Sequence, residues 1–190
     1  GGAPEGLTVE VRGEIADSDV RVLELAALKG VFAGVVEEQV SYVNAPVLAS
    51  ERGVAVNLSV DPLSPDHRNL VTVRGGLADG RQLSVSGSLP GPKHVEKLVE
   101  IDSYDLDLQP AEHLAFFRYP DRPGVVGELG RILGEHGVNI AGMQVSRDEQ
   151  GGHALIAMTV DSPIDPGALA EIVEAIGAHE GRSLDLDDLL

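Results

Sequence analysis

The chain has 190 residues, with 14 Lys and Arg against 31 Asp and Glu, for a net charge of −17. That balance excludes a nucleic-acid surface or an anionic membrane as partner, since both call for clustered cations, and no apolar run approaches the roughly 18 residues of a spanning helix. With no cysteine, disulfides, thiolate metal sites and cysteine nucleophiles are excluded as well. Hydrophobic residues make up 43% and aromatics only 3%, so the cores must be aliphatic. The start, GGAPEGLTVEVRG, lacks the basic and apolar segments of a signal peptide, and a cytoplasmic location is expected. A Gly-Pro-rich opening without Met reads as a segment of a longer chain.

In LTVEVRG (7–13), Leu7, Val9 and Val11 alternate with Thr8, Glu10 and Arg12, the pattern of a half-buried strand. A helix follows, with Asp17 or Ser18 as its expected N-cap and Val22, Leu25, Leu28 and Phe32 as its inner stripe. SYVNAPVLASERG predicts a second helix, with Pro46 in its first turn and Gly53 as its stop. Strands are expected at 54–60, 69–75 and 81–89, the last two joined by a turn at LADG. HVEKLVEI and YDLDL read as further extended pieces, the first also compatible with a short helix. Pro110 interrupts one pattern just before another begins, which places a boundary at 109–113.

Beyond it the pattern is βαββαβ, the split arrangement of ferredoxin-like domains. HLAFFRY is a strand. PGVVGELGRILGEHG is a helix with Pro123 near its first position and Gly137 past its end, and Val125, Leu129, Ile132, Leu133 and His136 form its inner stripe. NIAGMQVSR and HALIAMTV are strands joined by DEQGG. DPGALAEIVEAIG is a helix with Leu169, Ile172, Val173 and Ile176 inward, and RSLDLDDL is a last strand. The expected class is α+β in two small domains. Residues 6–110 form an αβ domain with a mixed or antiparallel sheet, and 111–190 form the βαββαβ domain.

The glycines at 124, 127 and 130 are spaced by three, which marks a helix face and not a dinucleotide loop. Gly127 and Gly130 point to close packing or a close ligand, since each costs a helix about 1 kcal/mol relative to Ala. The six histidines (67, 94, 113, 136, 153, 179) show no metal-ligand spacing, so no metal site is assigned. No nucleophile stands beside a base, and no catalytic residue is assigned. The acidic tail, with Asp185, Asp187 and Asp188, reads as the solvated face of a strand. Asp121 has a plain reading, a carboxylate favouring a helix N-terminus, and Asn139 could simply close a turn. Read together with Tyr119, they suggest a site. The end of the first strand, the start of the helix and the start of the next strand are expected to share one edge. There Asp121 could accept from an ammonium group, Asn139 could donate and accept, and backbone N–H groups of Gly124 and Val125 could hold a carboxylate. That set fits a free α-amino acid. In the first domain Arg68, His67, Lys93 and Lys97 are either ordinary surface charge or a basic pocket for a phosphate or carboxylate.

Positions 113–190, with DRPGVVGELGRILGEHGVNIAGMQVSR, resemble an ACT domain, a regulatory amino-acid-binding module. VNAPVLASERG, SPDHRN and SGSLPGPKHVEKLVEIDSYDLDLQP resemble the intervening, allosteric substrate-binding domain of long-form D-3-phosphoglycerate dehydrogenases. The resemblance implies a non-catalytic regulatory fragment of an NAD-dependent enzyme of L-serine biosynthesis, with no cofactor in this part. It implies a homo-oligomer in which L-serine, as feedback inhibitor, binds between two ACT domains. The ligands carried over are Tyr119, Asp121 and Asn139, with Arg122, Pro123, Gly124, Val125 and Ile140 around them. It also implies an anion site, for phosphate or phosphoglycerate, at Lys97, with Lys93, Arg68 and His67 as further candidates. Gln109 and Thr159 stand where some relatives carry arginine, which weakens that site. One alternative is the regulatory part of a serine dehydratase, whose catalytic half would need cysteines for an iron–sulfur cluster. The other is a small stand-alone enzyme.

Overall fold

The computed structural model describes residues 4–77 and 80–186. The chain divides into two compact units between Asp102 and Ser103.

The first unit begins with β1 (Gly6–Gly13) and a 3-10 turn (Glu14–Asp17). Then come α1 (Arg21–Ala33), α2 (Ala45–Glu51), β2 (Ala55–Asp61), β3 (Asn69–Gly76), β4 (Gln82–Ser88) and β5 (Lys97–Ile101). Within this unit the hydrogen-bonded order is β2-β1-β3-β4-β5. β1 and β2 are parallel, and the other pairs are antiparallel. The two helices supply the crossover that a parallel pair requires. As the alternation in β1 predicts, Leu7, Val9 and Val11 are buried. Leu7 packs with Leu28 and Phe32 of α1 and Leu48 of α2.

Two details of α1 differ from expectation. Neither Asp17 nor Ser18 caps it: Asp17 closes the 3-10 turn, and Val20 stands at the N-cap without a side-chain bond. Asp19 Oδ1 accepts from the Arg21 N–H instead, at 3.2 Å. Val22 is 56% exposed. The packed face carries Leu23, Ala27, Leu28, Val31 and Phe32. Apolar residues surround most of this helix, so three- and four-residue spacing fits more than one face. α2 starts and stops as expected, with Pro46 in its first turn and Gly53 at φ 67°. The expected turn at 77–80 includes Ala78 and Asp79, which lie outside the described residues.

Asp102 (φ 48°) and Ser103 (φ 69°) form the two-residue turn through which the division runs. The second unit then holds β6 (Tyr104–Leu108), β7 (His113–Pro120), α3 (Val125–Glu135) and β8 (Ile140–Arg147). β9 (His153–Val160), α4 (Pro166–Ile176) and β10 (Glu180–Asp185) complete it. The antiparallel sheet runs β10-β7-β9-β8. The last strand was expected to reach 189, and Asp187 and Asp188 lie outside the described residues. Ala115, Phe117 and Tyr119 of β7 pack with Leu129, Ile132 and Leu133 of α3 and Ala168, Ile172 and Ile176 of α4. β6 runs against β8 and β9. Its Asp107 N–H donates to Gln144 Oε1 at 2.7 Å, and Arg118 lies 5.7 Å from the Tyr104 ring. Tyr104, Leu106 and Leu108 are thereby buried, as are Leu114 and Leu155. Alternation points those two leucines away from the helices.

α3 corrects three further expectations. It starts at Val125, two residues after Pro123, with Gly124 in the left-handed region at φ 93° as its N-cap. His136 is not part of the inner stripe. It is exposed at the helix C-cap, with Nε2 3.0 Å from Glu171 Oε2 and Nδ1 3.3 Å from Asp165 Oδ2. A Cβ built at Gly127 or Gly130 meets no atom within 4 Å, so of the two expected roles close packing falls among the described residues and a close ligand remains.

Candidate functional site

β7 delivers its last buried side chain, Tyr119, into the helix-side core at 2% exposure. Burial pushes its phenol pKa up, the Asp121 charge adds to this, and Arg147 opposes it. Past Pro120 the chain leaves the sheet, but Asp121 stays tethered, its N–H donating to Gly152 O at 2.9 Å. The Asp121 side chain is mostly buried. Its Oδ2 lies 3.5 Å from Nη1 of Arg147, a half-exposed side chain at the end of β8. Asp121 therefore does not cap α3, whose N-terminus has no side-chain cap. Arg122 turns the other way and donates to Ala175 O in the last turn of α4, at 3.0 Å, a favourable place for a cation at a helix C-terminus. Pro123 is exposed, Gly124 makes the left-handed step, and Val125 is buried in the core. The β7–α3 loop is thus fixed on both sides. It presents a carboxylate, a guanidinium and the amide-bearing start of a helix at one end of the sheet.

Asn139 is not at that end. Ile140 pairs with Val160, while Arg147 pairs with Ala154, as does Tyr119 on the other side of β9. Seven residue steps along β8 separate the two ends by about 23 Å. The expectation of a shared edge is overturned for a simple reason. α3 carries the chain back along the sheet by about 16 Å, so the next strand must start where β7 began. At that far end Asn139 Nδ2 donates to Asp161 Oδ2 at 2.7 Å, and the Asp161 N–H donates to Asn139 O at 3.0 Å. Ile140 is half-buried against the core. Sequence reading missed Arg147. It lies 26 positions after Asp121, and only the β8–β9–β7 register reveals the pairing.

Lys97, Arg68, His67 and Lys93 lie around the end of the first sheet where β3 and β5 begin. Lys97 pairs with Ser88, and Ser88 Oγ donates to Asn69 O at 2.6 Å. Arg68 is committed to Glu14, whose Oε2 takes bonds from Nε at 2.8 Å and Nη2 at 2.7 Å. His67 is half-buried and Lys93 exposed. Gln109 is exposed, and Thr159 is buried. Among the described residues, Glu112, His113 and Asp185 have donor atoms within 4.8 Å of one another, close enough to hold a metal ion. His113 Nε2 is 3.3 Å from Glu112, and Nδ1 is 3.5 Å from Asp185. Asp185 faces His113 across β10 and β7, a proximity that spacing along the chain does not reveal.

Residues 3–102 match the family described as the D-3-phosphoglycerate dehydrogenase intervening domain, and residues 113–179 match the ACT domain. The chain belongs to the D-3-phosphoglycerate dehydrogenase family. It is 40% identical over 183 residues to the D-3-phosphoglycerate dehydrogenase of Mycobacterium leprae and 41% identical over 183 residues to that of Mycobacterium tuberculosis. In both cases the match covers 96% of this chain and 35% of the relative. With the enzyme of Synechocystis it shares 31% over 187 residues, covering 98% of this chain and 33% of the relative. The chain thus spans about a third of the length of these D-3-phosphoglycerate dehydrogenases. The matched parts are the intervening and ACT domains, the two that the sequence resemblance named. Among the described residues no helix is long and apolar enough to cross a membrane.

Proposed function

We propose that the chain is the regulatory part of an NAD-dependent D-3-phosphoglycerate dehydrogenase, and that it binds L-serine between two copies for feedback inhibition. One observation carries the reading. The candidate ligands stand at opposite ends of β8, an edge strand. Two-fold antiparallel pairing of β8 with its copy sets Asn139 of each chain beside Arg147 and Asp121 of the other. It also covers an open sheet edge that carries Ala141 and Val145, both exposed. In each junction Asp121 takes the serine ammonium, and the Asp121–Arg147 pair opens so that Arg147 meets the carboxylate, together with the N–H groups at the start of α3. Asn139 of the second copy, held by its own Asp161, completes the ring of polar partners. Two-fold symmetry gives two equivalent junctions, hence one serine per chain. Serine shifts activity through its unequal affinity for the enzyme's two arrangements, a coupling of about 1–3 kcal/mol. Phosphate or phosphoglycerate at Lys97 is a further expected contact of the first unit.

Calorimetric titration with L-serine, paired with sedimentation, tests this. The expected result is saturable binding of one serine per chain by a species of at least two chains. A monomer at tens of micromolar, or no binding heat, overturns it.

A further inference from the structure

On the first sheet, two cross-strand rows run over four strands: Ala55, Gly6, Gly76 and Gln82, then Asn57, Thr8, Arg74 and Ser84. Their two-residue spacing puts both rows on one face. It is the face turned away from α1 and α2, because Leu7, between the rows, packs on those helices. Gly6 and Gly76 sit side by side with no side chains, so the sheet there is floored by backbone. The result is a groove of about 310 Å³ walled by Thr8, Asn57, Arg74 and Gln82, at the small end of the range for ligand pockets.

The walls are chemically one-sided. Thr8 offers a hydroxyl, Asn57 and Gln82 offer amide N–H groups, and Arg74 offers a guanidinium, while none of the described lining residues is acidic. Beyond the groove, Glu10 is shared by two guanidiniums. Arg12 Nε bonds it at 2.7 Å, and Arg74 Nη2 stands off at 3.5 Å. Register also sets Asp61 beside Arg12 and Glu100 in the row of Glu10 on this face, so Arg74 is the one cation among the described walls of the groove. Arg74 also lies at the opposite end of β3 from Asn69, so this groove is separate from the Arg68–Lys97 end.

We propose that this groove is a binding site for a small anion carrying a carboxylate or phosphate group. Arg74 holds the oxyanion as a fork, the Asn57 and Gln82 amides and Thr8 hydroxyl fix its orientation, and the Gly6–Gly76 floor lets it approach the sheet. Weak attachment to Glu10 leaves Arg74 free to turn onto the ligand.

The test is an amide NMR titration of the chain with inorganic phosphate and, separately, acetate, at constant ionic strength. Saturable shifts at Gly6, Gly76 and the Asn57 and Gln82 side-chain amides are expected. Response to both ions assigns a general oxyanion site, and response to one assigns its class. Arg74→Gln is expected to weaken binding at least tenfold. Gly76→Val is expected to abolish it by filling the floor; Gly76 is not at positive φ, and a Cβ there meets nothing within 4 Å. Absence of saturable shifts with either ion, or shifts that survive Arg74→Gln, overturns the proposal. Where Gly76→Val costs the fold, Arg74→Gln alone decides.

Discussion

If Asp121 and Asn139 meet only across two chains, their variants should complement one another. Asp121→Asn keeps the shape of the side chain and removes the charge that faces the serine ammonium. A hydrogen bond to a charged group contributes about 1.5–3 kcal/mol. Freeing Asp121 from Arg147, at 3.5 Å with the guanidinium half-exposed, offsets about 1 kcal/mol of this, since contact with water on the Arg147 side keeps the pair weak. The net loss of about 0.5–2 kcal/mol corresponds to serine binding weakened roughly 2- to 30-fold. Asn139→Ala removes a polar partner from the other side of the junction and should weaken binding by a comparable factor. When the two variants are mixed and allowed to exchange, about half of the two-fold pairs are mixed. In each mixed pair one junction carries both changes and the other carries neither. Calorimetry of the mixture should therefore recover wild-type affinity in about a quarter of the chains, although neither variant shows it alone. No recovery after verified exchange would refute the shared site, because a site contained within one chain cannot be rebuilt by mixing.

Arg147→Gln should weaken L-serine binding yet leave affinity for L-serine amide, which lacks the carboxylate, unchanged or raised, since no Asp121–Arg147 pair then has to open; an equal loss for both ligands in titration would deny Arg147 that contact. His136 should titrate above its ordinary value of 6.5, because its bond to Glu171, and then the charges of Asp165 and Glu171, favour the imidazolium. Since the folded-state pKa is raised, this stabilisation is fully present below the unfolded pKa and fades as pH rises through the folded one. Melting temperature should thus fall across that window in the wild type and not in His136→Gln. Asp165→Ala removes the N-cap that accepts from the N–H groups of Gly167 and Ala168, at 2.8 and 3.0 Å, and should cost about 0.5–2 kcal/mol in urea denaturation. Leu129→Ala, in the fully buried stripe of α3, should cost about 2–5 kcal/mol by the same measurement.

Much of the second unit was legible along the chain. Strand alternation, the apolar stripe of α3, Gly137 past its end and the Asp165–Pro166 start of α4 are local signals, set by backbone geometry within a few residues. The βαββαβ order followed from them, whereas the first sheet was left as mixed or antiparallel, and only the pairing showed β1 and β2 to be parallel. The face of α1 was not legible, because Val22 and Leu23 suit a helix equally well and only the sheet beneath selects one. Nor was the relation of Asp121 to its neighbours. Which residues meet across strands depends on register, and register is fixed by pairings between segments tens of residues apart. Register set Arg147 beside Asp121, sent Asn139 to the far end of β8, and lined up Gly6 with Gly76. The sequence by itself determined the elements and the polar residues available to hold a ligand. The tertiary structure decided which of those residues one chain can bring together, because side-chain proximity across a sheet is a property of long-range pairing and not of local spacing.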